Sequence, residues 1–186
     1  MGIPFNKKPT NVIGYPLIRN GTVFGGHVIY SDGGTLTLTN SIVWNNDPDG
    51  IHIADGTASV AYCDVQGGWL GKGNIEREPL FVALNNGDYH LKSQGGRWEP
   101  AAEAWIIDEV TSPCIDAGDP MSPLGSEPFP NAGIINMGAY GGTAEASKSY
   151  FGEPPCEIVV TGDINGDCNV NFLDFRIMAL HWLEEH

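Results

Sequence analysis

The residues best suited to chemistry lie near the end of the chain, in Thr161-Gly-Asp-Ile-Asn-Gly-Asp-Cys-Asn-Val-Asn-Phe-Leu-Asp-Phe. Counting Asp163 as position 1, side-chain oxygens fall at position 3 (Asn165), 5 (Asp167), 9 (Asn171) and 12 (Asp174), and Asn169 at position 7 offers its backbone carbonyl. That is the ligand rhythm of a calcium loop running into a helix. Calcium is a hard cation that takes six or more oxygens at about 2.3–2.6 Å, so a short loop must turn sharply to converge them. Asp163, Asp167 and Asp174 supply charge, and the Asn165 and Asn171 amides supply neutral oxygens. The metal-free alternative is a solvated Asp/Asn turn.

The elements that must hold this loop are bounded by composition. A chain of 186 residues has room for one medium domain and a small module. A net charge of −14 excludes nucleic acid as a partner, because phosphates would be repelled. Twenty-five Gly and 13 Pro with only 17% charged residues predict many turns between short strands. No apolar run is long enough to span a bilayer. Met1 to Thr10 has Lys7 and Lys8 with no apolar stretch behind them, so it is not a signal peptide, and the expectation is a fragment of a longer protein. Four cysteines, Cys63, Cys114, Cys156 and Cys168, allow three full pairings. Cys156 and Cys168 flank the start of the loop and are the expected disulfide; the alternative is four buried thiols. Low cytosolic calcium and reducing conditions suit neither loop nor bridge, so the expected location is extracellular, secreted or at the cell surface.

From Gly26 an internal repeat begins. Offsetting the chain by 22 residues sets Ile29 on Ile51, Gly34 on Gly56, Thr35 on Thr57, Leu38 on Val60 and Val43 on Val65. Each unit holds short alternating β-branched runs separated by Gly, Asn or Asp turns. This is the period of one coil of a parallel β-helix, in which like residues stack from coil to coil. From Gly71 to Tyr140 the period is lost, as expected of an atypical terminal repeat that covers an exposed core. Glu99-Pro-Ala-Ala-Glu-Ala-Trp-Ile-Ile reads as a short helical turn or loop, and 143–160 as a linker. A final helix from Phe172 to about Glu184 places Phe172, Phe175, Ala179, Trp182 and Leu183 on one face and Leu173, Ile177 and Leu180 on another. A helix this apolar must be covered by a partner, by the neighbouring domain or by a further repeat.

Two resemblances follow from these stretches. Gly162-Asp-Ile-Asn-Gly-Asp with Val170-Asn-Phe-Leu-Asp-Phe resembles one repeat of a type I dockerin, a calcium-binding, EF-hand-like module that docks secreted polysaccharide-degrading enzymes onto cohesin-bearing scaffolds. The resemblance implies Asp163, Asn165, Asp167, Asn169, Asn171 and Asp174 as Ca²⁺ ligands. It implies a partner surface at Phe172, Leu173, Arg176, Ile177 and Leu180, facing a cohesin-like or other protein. The chain departs from that family in carrying one repeat rather than two, and Cys168 where a glycine usually makes the turn. Residues 22–142, with Pro79-Leu-Phe, Asp88-Tyr-His-Leu, Ser112-Pro-Cys-Ile-Asp-Ala-Gly-Asp and Asn136-Met-Gly-Ala-Tyr, resemble the C-terminal end of right-handed parallel β-helix proteins of the pectin-lyase-like kind.

The expected architecture is therefore mainly β. Residues 1–142 are the end of a right-handed parallel β-helix with an irregular capping region, 143–160 the linker, and 161–186 a small calcium loop–helix, or half-dockerin, module. Lyases of the resembling kind abstract a proton with Arg or Lys, and Gly26 to Gly68 contains neither. Glycoside hydrolysis needs two carboxyls about 5–9.5 Å apart. Asp47, Asp49 and Asp55 sit in turn contexts, which leaves Asp64, near Gln66 and Trp69, as the remaining acid. Trp44 and Trp69 are candidates for stacking on sugar or for packing. His27, His52 and His90 show no ligand spacing. No catalytic constellation is readable, and the catalytic residues are unknown. The expected function is a calcium-dependent attachment module on a secreted protein associated with polysaccharide. The alternatives are a glycoside hydrolase or polysaccharide lyase, and a structural cell-surface or adhesion protein.

Overall fold

The computed structural model describes residues 17–18, 29–46, 50–152, 161–164 and 169–181. Cys156, Asn165, Asp167 and Cys168 lie outside them. The described chain is mainly β, with short strands, one C-terminal helix and no closed barrel. No described helix is long and apolar enough to cross a membrane.

Period-two alternation and the 22-residue offset combine in one arrangement. Strand β2 (Ile29–Thr39) pairs in parallel with β4 (Ile51–Ala61), and β3 (Ile42–Val43) lies between β1 (Leu17–Ile18) and β5 (Asp64–Val65), again in parallel. Ile29 pairs with Ile51, Thr35 with Thr57, Leu38 with Val60 and Val43 with Val65, as the offset predicts. Alternate residues point to opposite faces of a strand. Leu36 and Leu38 are accordingly buried, while Thr35 beside them is exposed and shares a 3.0 Å hydroxyl contact with Thr57. The ladder shifts register twice, between Ser31 and Asp32 and between Asp32 and Thr35, beside Gly33-Gly34 and Gly56. All three adopt positive φ, and a β-carbon on Gly56 would collide with the Gly34 carbonyl, so the shifts require glycine there.

The short strands divide two cores. Val43 and Val65 face a cluster with Leu36, Leu38, Val60 and Cys63. Ile42, one residue before Val43, faces a second cluster with Leu91, Cys114, Ile115 and Met137. Asp64 pairs with Ile42, and Ile75 follows on its other side.

Beyond Ile75 the repeat ends. Two antiparallel hairpins follow: β6 (Phe81–Ala83) with β7 (Asp88–Leu91), and β8 (Arg97–Glu99) with β9 (Ala104–Ile106). The second corrects the reading of 99–107 as a helical turn or loop. Trp98 pairs with Trp105 across the strands, their rings edge to face at 5.6 Å, and a cross-strand aromatic contact outweighs the local preference of Ala-Ala-Glu-Ala. Residues 111–150 carry no regular strand or helix. Backbone amides of Gly118, Met137 and Gly138 bond to the carbonyls of Ile135, Cys114 and Asn40, tying this segment to the corner after β2. The first part of the stretch expected as a linker is packed: Ala146, Ser147 and Ser149 are buried, and Lys148 N–H donates to Gly96 O.

Stacked apolar columns carry the fold, so truncation inside one is costly. Leu38→Ala, at a side chain 1% exposed, is expected to cost about 2–5 kcal/mol in urea unfolding. Thr35→Ala, on the outer face, is expected to change stability by no more than about 0.5 kcal/mol. Equal effects at the two sites would contradict this register.

Candidate functional site

At the C-terminal loop, local hydrogen bonding sets the geometry. Asn171 precedes the helix α1 (Phe172–His181), and its Oδ1 accepts the Leu173 N–H at 2.8 Å. Asp174, three residues on, returns the bond, its Oδ2 accepting the Asn171 N–H at 2.7 Å. This is a capping box built from Asn and Asp, and the Asp174 carboxylate also lies favourably at the positive end of the helix. The other oxygen of Asp174 accepts the Ile164 N–H at 2.7 Å. One carboxylate thus joins the loop's entry to its exit. Asp174 and Asp163 are 2% and 7% exposed.

Of the expected ligands, Asp163, Asn169, Asn171 and Asp174 fall within the described residues. Among those residues no three His, Cys, Asp or Glu side chains form a group able to hold a metal; Asp167 belongs to the undescribed part. The residues present fit calcium in donor chemistry, which is oxygen throughout, and in the closure of the two loop ends. Of the expected partner surface, Phe172 is 87% exposed and Leu173 52%, with Phe175 and Met178 exposed beside them. Arg176 is exposed. Ile177 is half-buried, its Cγ2 3.4 Å from where a β-carbon on Gly133 would sit. Leu180 lies within the helix.

Asp47, Asp49 and His27 lie outside the described residues, and Asp55, Asp64, Trp44 and Trp69 make structural contacts. Asp55 is exposed, and its Oδ1 accepts the adjacent Gly56 N–H, as turn chemistry predicts. Asp64 is fully buried. Its Oδ1 accepts the Arg77 N–H at 3.0 Å and its Oδ2 accepts the Cys114 thiol at 3.1 Å. Burial raises its pKa to about 6. Cys63 and Cys114 are unbridged and buried, and burial pushes the Cys63 thiol up to about 11 and Cys114 further. These thiols are held as thiols, without nucleophilic character. Trp44 and Trp69 separate: Trp44 packs on the second core and Trp69 on the first.

Two polar centres left no sequence signal that spacing could reveal. His90, 1% exposed, stacks on Tyr140 at 3.7 Å and is flanked by Asp88 at Nδ1 (2.6 Å) and Glu145 at Nε2 (3.3 Å). Both ring nitrogens face carboxylates, so the ring ties 140–145 to β7. Glu127 is buried, and its Oε1 accepts the N–H groups of Asn136 and Gly142, each at 2.8 Å. Burial raises Glu127 to about 7. Asn136 extends the network, accepting from Asp116 N–H and donating to Ser147 O.

The fold is a mainly β body with parallel strand layers in a 22-residue register, followed by irregular segments stapled by buried carboxylates. A sequence profile of the family described as disaggregatase related matches residues 19–118, more than half of the chain, and the chain belongs to that family. The match includes β2 through β9 and ends before the C-terminal loop. No curated protein and no solved structure matches the chain.

The buried carboxylates predict a pH dependence. Asp64 and Glu127 are both raised, so the folded state holds their protons more tightly than the unfolded chain does. Their contribution to stability is full below about pH 4, where the unfolded carboxyls are also protonated, and is lost as pH rises through the folded values. Urea unfolding between pH 4 and 8 is expected to show Asp64→Asn and Glu127→Gln flattening this decline. A parallel shift of the whole profile, with its slope unchanged, would contradict the assignment.

Proposed function

We propose that this chain is the terminal part of a secreted, right-handed parallel β-helix protein associated with polysaccharide, ending in a calcium-binding, dockerin-like attachment module. The closure of the loop by Asp174 carries the reading: one buried carboxylate draws Ile164 and Asn171 together, the two ends that a calcium loop must converge. Asp163, Asn165, Asp167, Asn171 and Asp174 would hold the ion through side-chain oxygens and Asn169 through its carbonyl; calcium supplies the charge that orders the loop. The parallel register supports the β-helix part of the reading, with 111–150 as its cap. Membership in a family described as disaggregatase related fits a part in taking apart aggregated material. The exposed run Phe172, Leu173, Phe175 and Met178 supports docking to a protein partner.

One observation favours a second reading. Ile177 rests against Gly133 of the body, so part of the helix is covered by its own chain. In a structural cell-surface protein the whole helix would be held this way.

Calorimetric titration of the chain with calcium tests the proposal. One calcium is expected to bind, in the range of about 10⁻⁷ to 10⁻³ M that loops of this kind span. The double change Asp163→Ala with Asp167→Ala removes two of three carboxylates and is expected to weaken binding by roughly a hundredfold or more. Absence of binding in the parent, or equal binding in the double variant, would leave the loop a plain turn.

A further inference from the structure

Helix α1 has ten residues, and an isolated helix of that length is marginal in water. It must be held from outside, and two holds are present. At its start, Asp174 caps Asn171 and draws in Ile164. One turn on, Ile177 meets the body at Gly133, its Cγ2 3.4 Å from where a β-carbon on that glycine would sit. Residues three apart share a helix face. Asp174 and Ile177 are the covered positions between Phe172 and Ala179, and the others in that stretch are exposed. Loop and body therefore grip one stripe of one helix.

The turn that receives Ile177 is itself fixed. Gly133 adopts a positive φ of 71°, and its N–H donates to Asn131 Oδ1 at 3.3 Å. The Asn131 amide donates to the carbonyls of Glu127 and Pro128, each at 3.4 Å. Ala132 N–H donates to Asp116 Oδ1 at 3.4 Å, and the Ser149 hydroxyl donates to the same oxygen at 2.8 Å. These bonds tie the turn to the irregular region and make it a firm seat. Ile177 suits it, because a β-branched side chain on a helix has little rotamer freedom to lose. Two holds on one short helix are coupled. Ordering the helix has a nucleation cost, and whichever hold forms first has already met it for the second. Calcium would order the loop that Asp174 closes, and seating Ile177 orders the next turn. By linkage each must strengthen the other by the same factor.

We propose that the 131–133 turn of the body is a positioning element for the calcium loop: Ile177 seated on Gly133 raises calcium affinity, and calcium in turn holds α1 on the body. The proposal rests on the calcium-binding part of the proposed function and adds a regulatory link to it, since calcium then sets the orientation in which the exposed face of α1 is displayed. Its test is calorimetric titration of the full chain and its variants with calcium, together with the Gly133 amide signal of the ¹⁵N-labelled chain. Ile177→Ala is expected to weaken calcium binding about fivefold or more. Ala is the better helix former, so a change acting through helix propensity alone would tighten binding instead. Ile177→Val keeps a β-branched contact and should bind within about twofold of the parent. From the body side, Gly133→Asn keeps a residue type that tolerates positive φ while setting a side chain against Ile177, and should weaken binding to a similar degree. The two changes remove one contact, so Ile177→Ala with Gly133→Asn should be no weaker than the weaker single variant. Calcium should shift the Gly133 amide in the parent and leave it in place in Ile177→Ala. Unchanged calcium affinity in Ile177→Ala or in Gly133→Asn, or a Gly133 signal in the parent that ignores bound calcium, overturns the inference and leaves the calcium reading standing. Absence of calcium binding in the parent overturns both.

Discussion

Parallel pairing at a 22-residue offset is the constraint on which the rest of the structure depends. A parallel ladder places like residues on like, so each apolar position must find an apolar partner one layer on, and Leu38 on Val60 and Val43 on Val65 satisfy this. Where the column meets a different requirement, the residue type changes. Asp64 stands in the column of Ile42, and with it the stacking of apolar residues gives way to hydrogen bonds with Arg77 and Cys114. A buried carboxylate is tolerable there because both of its oxygens accept donors and because burial raises its pKa.

The same solution recurs through the irregular region. Segments without strands still have backbone groups that must be bonded when buried. Glu127, Asp116 and Asn136 accept those N–H groups, and Asn136 and the serines Ser112, Ser147 and Ser149 donate to nearby oxygens. The C-terminal loop uses the device once more, with Asp174 gathering Ile164 and Asn171. Beyond the two hairpins, polar side chains rather than ladders hold the chain where its period fails.

This explains what could be read in advance. A repeat that stacks on itself leaves its period in the sequence, and five aligned positions mark β2 to β5. The residues around Asp174 likewise marked the start of the helix at Phe172, because capping is local. Side-chain staples leave no such mark. Glu127 reaches Asn136 and Gly142, and His90 reaches Glu145 from 55 residues away, with nothing periodic to flag them. The hairpin at 97–106 was missed because Trp98 on Trp105 is a tertiary contact set against a locally helical composition. Asp64 stood out as a candidate acid for want of a turn context, and its burial under Cys114 could only come from the fold.

The most direct measurement of the central claim is hydrogen exchange at the amides of Ile164 and Asn171, the two donors to Asp174, with and without calcium. If the loop is the working calcium module, calcium at a hundred times its dissociation constant should slow both amides by about a hundredfold, leaving those of β3 and β5 unchanged. Exchange at Ile164 and Asn171 that ignores calcium would contradict the account, and would leave Asp174 as a helix cap and nothing more.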